Sequence, residues 1–294
     1  MMGEGIDIFS KATVLLEALP YIQRFKGSVF VVKYGGSFMD DPDESVRLRV
    51  IADIIFLASV GIKVVVVHGG GKAISRAMER ENLEAKFVGG LRVTDSAAIK
   101  IVESVLNDEV NRDICDMFIH ENAKPVGVKG QEIFSCEKLT KDSDGNPIDI
   151  GFVGEINYVD VELIQEILAH GKIPVITPTA KNEEGEIFNT NADVAASHVA
   201  AALDARRLVY LCDVPGLLKD PSDLNSLIST LRIKDIDGLK STGVISSGMV
   251  PKVDSSVGAL NKGVHRVHFI HGHMPHSLLL EIFTDSGIGT EIVK

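Results

Sequence analysis

Six short runs of apolar, largely β-branched residues recur along the chain: SVFVVKY (28–34), IKVVVVH (62–68), KPVGVK (124–129), KIPVIT (172–177), RRLVYL (206–211) and HRVHFI (265–270). They are continuous rather than alternating, and a strand apolar on both faces must be covered on both faces. Helical patterns lie between them, at 44–59, 72–81, 94–121, 160–170, 191–203 and 249–262. The first two runs start at residues 28 and 62, a separation that suits a strand–helix–strand unit. The fold class that satisfies these constraints is α/β: a three-layer α/β/α sandwich with a largely parallel central sheet.

Two stretches break the rhythm. GQEIFSCEKLTKDSDGNPIDIGFVGEINYV alternates, carries a turn signal at Asp144–Gly145–Asn146–Pro147, and predicts antiparallel hairpin strands inserted into the parallel core. TAKNEEGEIFNTNAD (179–193) is a polar break between two groups of strand–helix units, and a lobe boundary is expected near residue 180. Ahead of the first core strand, Ile8, Ala12, Leu15, Leu19 and Ile22 recur at helical spacing, with Pro20 expected to kink or interrupt that helix. Its apolar face must be buried on its own subunit or against the same helix of another subunit. The expected divisions are therefore 1–26, 27–180 and 181–294.

The 294 residues are 45% hydrophobic and 24% charged, enough for two lobes. A net charge of −11 argues against nucleic acid as a partner, while leaving room for an anionic substrate where cations are concentrated. Cys115, Cys136 and Cys212 have no zinc spacing and read as reduced thiols. The opening MMGEGIDIFSKATVLLEALP lacks a basic leader region and a cleavage site, and the apolar runs are too short to span a membrane. A cytoplasmic protein without a membrane partner is expected.

The chemistry-bearing residues follow the strands. Lys33 ends the first run beside Gly35 and Gly36. A strand-end lysine is ordinarily just a surface residue. Two glycines after it let backbone N–H groups approach a ligand that the lysine also reaches. The second run ends in His68 and then Gly69–Gly70–Gly71, more glycine than a tight turn needs. Neither G-x-G-x-x-G nor a P-loop is present. His68 reads as a core or turn histidine with no proton-transfer role. Arg92, in VGGLRVTD (88–95), sits in a glycine-led loop before a helix capped by Thr94 or Asp95. It is either a solvated loop arginine or a bidentate anchor for a carboxylate.

FNTNADVAASHVAAAL (188–203) opens a helix with Asn189, Asn191 and Asp193, although capping needs one such residue. SSGMVPKVDSSVGAL (246–260) places Gly248 and Pro251 at a helix start carrying Lys252, where the helix terminus already favours anions. Two glycine turns, two lysines and a helix N-terminus supply positive potential, and one arginine holds a carboxylate. Such a set serves phosphoryl transfer between two anions.

As an ordered set, KYGG (33–36), HGGG (68–71), GLRVTD (90–95), GFVGEI (151–156), NTNAD (189–193), DVPG (213–216) and GMVPK (248–252) resemble the amino acid kinase family, in its acetylglutamate kinase branch. The resemblance runs from about Phe30 to the C-terminus. It implies the amino acid kinase sandwich, with N-acetyl-L-glutamate in the N-terminal lobe and ATP in the C-terminal lobe. It further implies an acyl phosphate product in arginine biosynthesis. By the same resemblance, Gly70, Gly71, Arg92 and Asn189 contact the amino acid, Lys33 and Lys252 stabilise the transition state, and Asp193 orients both lysines. Gly35, Gly36, Asp213 and Gly248 face the nucleotide. Mg²⁺ rides on the ATP phosphates, with no metal site in the protein itself.

The N-terminal helix and PHSLLLEIFTDSGIGTEI (275–292) resemble the arginine-inhibited members, which are hexamers built as trimers of dimers. That implies an L-arginine site at Tyr21, Lys219, His268, Glu281 and Gly287, and brings in a PII-type nitrogen regulator as a further partner. The chain departs from the family pattern at Ser247 and Cys212, where Gly and Thr are usual, and at His271 and His273, where Asp and Arg are common. Two rival functions remain: a kinase for acetylaminoadipate, one methylene longer, and an amino-acid sensor that kept the fold without catalysis.

Overall fold

The computed structural model describes residues 8–142, 145–246 and 248–294; Asp144 of the hairpin turn, Ser247 and the side chain of Ile8 lie outside the described residues. The chain opens with α1 (Ile8–Phe25), β1 (Val29–Tyr34), α2 (Glu44–Ser59), β2 (Lys63–His68) and α3 (Gly71–Arg80). A small hairpin, β3 (Phe87–Val88) and β4 (Leu91–Arg92), precedes α4 (Ala98–Ser104), α5 (Asn111–His120) and β5 (Pro125–Val128). Then come β6 (Phe134–Lys138), β7 (Gly154–Val159), α6 (Glu162–Ala169), β8 (Ile173–Ile176), β9 (Thr179–Lys181) and β10 (Ile187–Asn189). The remainder is α7 (Ala192–Ala202), β11 (Arg207–Cys212), β12 (Thr230–Arg232), α8 (Ile236–Ser241), α9 (Met249–Asn261), β13 (Val267–His271), α10 (Ser277–Ile282) and β14 (Thr290–Val293).

All six apolar runs are strands of one eight-stranded sheet, in the order β12–β14–β13–β11–β1–β2–β8–β5. Those six are mutually parallel. The other two extend one edge: β14 runs antiparallel to β13, and β12 parallel to β14. The continuous apolar runs have the predicted consequence. Val31, Val65 and Val67 face a core shared with α7 and α9, while Val32, Val64 and Val66 face a second core shared with α2, α5 and α10. Each fully buried valine contributes roughly 1.5–3 kcal/mol over its exposed state.

The inserted hairpin forms as β6 and β7, antiparallel with an irregularity at Ser135/Cys136. The polar stretch that follows is more than a break. It contains β9 and β10, paired antiparallel, and β9 joins β6 to complete a four-stranded second sheet. The single helix expected over 94–121 begins at Ala98 and contains a π-helical turn at Val105–Val110 between α4 and α5. Pro20 does not interrupt α1. Leu16, whose carbonyl would otherwise receive the missing N–H, is exposed, so water can serve it. The end of α1 is anchored: Phe25 is buried, edge-on to Phe30 at 5.3 Å between ring centres. Among the described residues no helix is long and apolar enough to cross a membrane.

Candidate active site

Because β1, β2 and β11 are adjacent and parallel, their carboxyl ends open on one edge of the sheet, where ligands of such sheets bind. Lys33, Gly69 and Asp213 are brought together there from distant parts of the chain. Two cavities meet at this edge and share Gly36, Gly70 and Gly71. One, of about 270 Å³, is lined by Lys33, Arg92, Asn189 and Asp193 among others. Its neighbour, of about 600 Å³, lies against Tyr34, Ser37, Lys72 and Asp213.

Asp193 is the centre of the charge arrangement. It stands in the first turn of α7, and Asn191 caps that helix by accepting from the backbone N–H groups of Asp193 and Val194. Ala195, Ala196 and Ala200 of α7 are fully buried, which lets the helix lie close to the sheet. The Asp193 carboxylate is thus free for side chains. Lys33 Nζ lies 3.0 Å from Oδ1, and Lys252 Nζ donates to Oδ2. Tyr210 donates to the Asp193 carbonyl at 3.1 Å from below. Burial alone would raise the carboxyl's proton affinity, but the two ammonium groups reverse this and hold it below the usual carboxylate range. For Lys252 burial favours the neutral amine, and Asp193 overrides it, so the ammonium is held more tightly than usual.

Arg92 is buried and lies on β4 rather than in a loop. Its Nη2 donates to the Gly71 carbonyl and to Ser75 Oγ, both at 2.7 Å, and its Nη1 reaches Met78 Sδ. Phe87 covers the guanidinium face at 4.7 Å. The remaining N–H groups are left for a ligand. Asn189 donates to Thr94 Oγ1 at 3.3 Å, bridging β10 to the segment that follows Arg92. Of the two expected caps, Asp95 serves, accepting from the N–H groups of Ala97 and Ala98.

The glycines have local reasons. A Cβ on Gly35 would fall 2.8 Å from Lys33 Cε, because that side chain folds back across the turn. Gly36 has φ +125°, and a Cβ there would meet Asp213 Oδ1 at 2.8 Å. Asp213 accepts from Ser37 N (2.6 Å) and Ser37 Oγ (2.8 Å), tying β11 to the turn after β1. Burial opposes its charge, but the two Ser37 donors prevail and keep its carboxyl ionised below the ordinary range. Gly248 immediately precedes α9. Cys212 is buried behind the site, its thiol pushed up to about 11 by burial. The His271 and His273 rings lie 5.6 Å apart with their planes tilted by 42°, and His273 Nε2 is 3.3 Å from Ser37 Oγ. Ser37, Ser75, Met78 and Phe87 carry no motif and were not singled out by the sequence; only proximity in the fold identifies them.

At the far edge of the sheet, a cavity of about 180 Å³ is lined by Tyr21, His268, Glu281 and Gly287, with Arg24 and Asp285. Lys219 does not line it; its backbone pairs with Ser226 instead. Glu281 is already well bound, by His268 Nδ1 at 2.7 Å and by the N–H groups of Ile288 and Gly289. Tyr21 donates to Asp285, docking α1 on this corner.

A profile of the amino acid kinase family matches residues 28–271. The acetylglutamate kinase of Akkermansia muciniphila is 47% identical over 293 residues, spanning 98% of this chain and 97% of its own. That of Archaeoglobus fulgidus is 45% identical over 285 residues, spanning 95% and 98%. Among solved structures, N-acetylglutamate synthase from Neisseria gonorrhoeae complexed with coenzyme A and N-acetyl-glutamate matches with a TM-score of 0.83 at 27% identity, over 96% of this chain. This chain spans 63% of the synthase's length. Isopentenyl phosphate kinase, at 17% identity and a TM-score of 0.63, shares the fold alone. With its motifs in order, its lysine–aspartate–lysine cluster at the carboxyl ends of the sheet and relatives matched end to end, the chain belongs to the amino acid kinase family, in its acetylglutamate kinase branch.

Proposed function

We propose that this enzyme transfers the γ-phosphoryl group of ATP to the side-chain carboxylate of N-acetyl-L-glutamate. The observation that carries this reading is the pair of ammonium groups on Asp193, set beside a cavity that also presents Arg92. A carboxylate oxygen of the acceptor attacks the γ-phosphorus, an O–P bond forms, the bond to the β,γ-bridging oxygen breaks, and ADP leaves. The acceptor is already ionised, so no general base is required and the protein's task is positioning and charge neutralisation. Arg92 and Asn189 hold the α-carboxylate end of the acceptor. Lys33 and Lys252, spaced by Asp193, face the oxygens of the phosphoryl group in transfer. The N–H groups of the Gly35–Gly36 turn and of the start of α9 after Gly248 donate to phosphate oxygens of the nucleotide, with Asp213 holding the first turn in shape. Gly70 and Gly71 contact the acceptor, their amides lying between it and the phosphoryl group. Mg²⁺ is assigned to the nucleotide, where it would neutralise phosphate charge.

L-Arginine is assigned to the far cavity at Tyr21, His268, Glu281 and Gly287, where it would bias the lobes toward a less active arrangement. Support comes from the same synthase solved with L-arginine, which matches with a TM-score of 0.80. The exposed Val14, Leu15, Leu16 and Leu19 on α1 favour burial against another subunit over packing on this one, in keeping with a hexamer.

A hydroxamate assay for acyl phosphate tests the activity. N-acetylglutamate should be turned over with ATP, and free glutamate should not. Faster turnover of acetylaminoadipate would shift the assignment to the longer substrate, and no turnover of any of these would favour the sensor.

A further inference from the structure

His68 closes β2, and the proposed chemistry gives it no proton to carry. It is fully buried, and its two ring nitrogens have different partners. Nε2 lies 3.1 Å from Asn111 Nδ2, and Nδ1 lies 2.7 Å from the Gly69 carbonyl oxygen. The same Nδ2 donates to the Val175 carbonyl at 2.8 Å, where an amide oxygen would face another oxygen. The orientation of the Asn111 amide is therefore settled, and Nδ2 is the donor in both contacts. His68 Nε2 is an acceptor, the ring proton sits on Nδ1, and Nδ1–H donates to the Gly69 carbonyl. Burial acts in the same sense, holding the ring neutral with its proton affinity down at about 4.

The consequence falls on the next peptide unit. A trans peptide is planar, with its C=O and N–H pointing in opposite directions. Drawing the Gly69 carbonyl back toward the buried ring therefore turns the Gly70 N–H the other way, toward the crevice where the two cavities share Gly70 and Gly71. A peptide between two glycines has little intrinsic preference for one orientation. Something must hold it, and His68 does. Asn111 is seated in turn against Gly127, where a Cβ would crowd its amide. We propose that His68, locked by Asn111, is a positioning residue for phosphoryl transfer: its Nδ1–H fixes the Gly69–Gly70 peptide so that the Gly70 N–H faces the oxygens of the group in transfer. This rests on the kinase reading above.

The test compares His68→Asn, His68→Gln and His68→Leu in the full chain. An asparagine amide nitrogen can stand where Nδ1 stood, a glutamine's reaches the Nε2 position, and leucine fills the space with no donor. His68→Leu and His68→Gln should lose about 10–100-fold in kcat, less than the 10²–10³ of outright removal of an oxyanion donor. The KM for N-acetylglutamate should stay within about threefold, and His68→Asn should recover most of the rate. Calorimetry separates positioning from mere structural support. Binding of ADP with aluminium fluoride, a mimic of the phosphoryl group in flight, should weaken in parallel with kcat, and binding of ADP alone should not. If His68→Leu does not fold, the contrast between Asn and Gln decides. Equal rates in Asn and Gln, or ADP affinity and KM failing together with kcat, would overturn the proposal while leaving the kinase reading intact. A wild-type enzyme inactive on N-acetylglutamate would overturn both.

Discussion

Replacing Asp193 by asparagine keeps the shape of the site and removes its one central negative charge. Its side chain is 12% exposed, that of Lys33 10% and that of Lys252 21%, so water screens the cluster only partly. At an effective dielectric constant near 20, two unit charges about 4 Å apart interact by about 4 kcal/mol. The substitution deletes two such attractions and leaves two ammonium groups that repel each other. They separate, and the charge they present to the phosphoryl oxygens is no longer preorganised. Loss of one preorganised donor costs roughly 2.7–4 kcal/mol of barrier, so a fall in kcat of about 10²–10³-fold is expected. Arg92 and Asn189 are untouched, and KM for N-acetylglutamate should move by less than about threefold. A second signature is independent of the rate. Burial favours the neutral Lys252 amine and Asp193 counters it, so Asp193→Asn should shift the alkaline limb of the pH–rate profile to lower pH. Rates measured by ADP release from pH 6 to 10 in both proteins give both answers. A variant with near-normal kcat and an unmoved alkaline limb would refute the assignment of Asp193 as the organiser of the two lysines.

Arg92→Ala should raise KM for N-acetylglutamate about 10–100-fold with a smaller effect on kcat, because a charge-assisted bond of roughly 1.5–3 kcal/mol to the acceptor's α-carboxylate is lost. Initial-rate kinetics at saturating ATP check it. Leu15→Glu with Leu19→Glu, both on the exposed face of α1, should reduce the assembly to dimers in light scattering and weaken arginine inhibition while sparing the uninhibited rate. These variants are cleaner than deletion of residues 1–26, which would also remove the buried Phe25. The neutral His68 ring has a folded-state pKa of about 4 against 6.5 for the free side chain, so the unfolded chain binds the extra proton first. Its contribution to stability is present above pH 6.5 and is lost as pH falls toward 4, by about 2 kcal/mol at pH 5. Urea midpoints at pH 7 and pH 5 should show that loss in the wild type and less of it in His68→Asn.

The parallel core was legible because a strand buried on both faces writes a continuous apolar run. The edge strands β12 and β14 were not, since three or four residues such as Thr230–Arg232 carry no pattern that separates them from a loop. The start of α7 shows how far residue chemistry reaches. Three polar residues stood where a cap needs one, and the structure divides them as that surplus suggested: Asn191 caps, Asp193 takes the lysines and Asn189 lines the cavity. What could not be read were contacts set by strand register and helix packing. Ser37 on Asp213 spans 176 residues, and Asn111 on His68 joins a helix following a π turn to the end of a strand. Nothing near either residue in sequence announces the other. Lys219 marks the opposite error, a motif position that the fold leaves outside the cavity it was matched to.

The three glycines after β2 make sense once their carbonyls are followed. The Gly69 carbonyl accepts from His68, the Gly70 carbonyl from the backbone N–H of Ile74, and the Gly71 carbonyl from Arg92 and Ser75. Every acceptor in the turn is therefore engaged by the protein. The amides at the start of α3 have no helical acceptor, because the first turn of a helix leaves its N–H groups unpaired. A stretch of neutral backbone thus offers the crevice donors without competing acceptors, and without the fixed charge of a further lysine. Glycine is needed because a side chain at position 70 would collide with Leu106, while at position 71 a Cβ would project into open space. Gly71 lines both cavities, and on the proposed reading a side chain there would stand between the two substrates. Arg92 joins the two halves of this design. Its guanidinium holds the Gly71 carbonyl, and on the proposed reading it also anchors the acceptor's carboxylate, so that seating the acceptor would brace the turn facing the donor's phosphate.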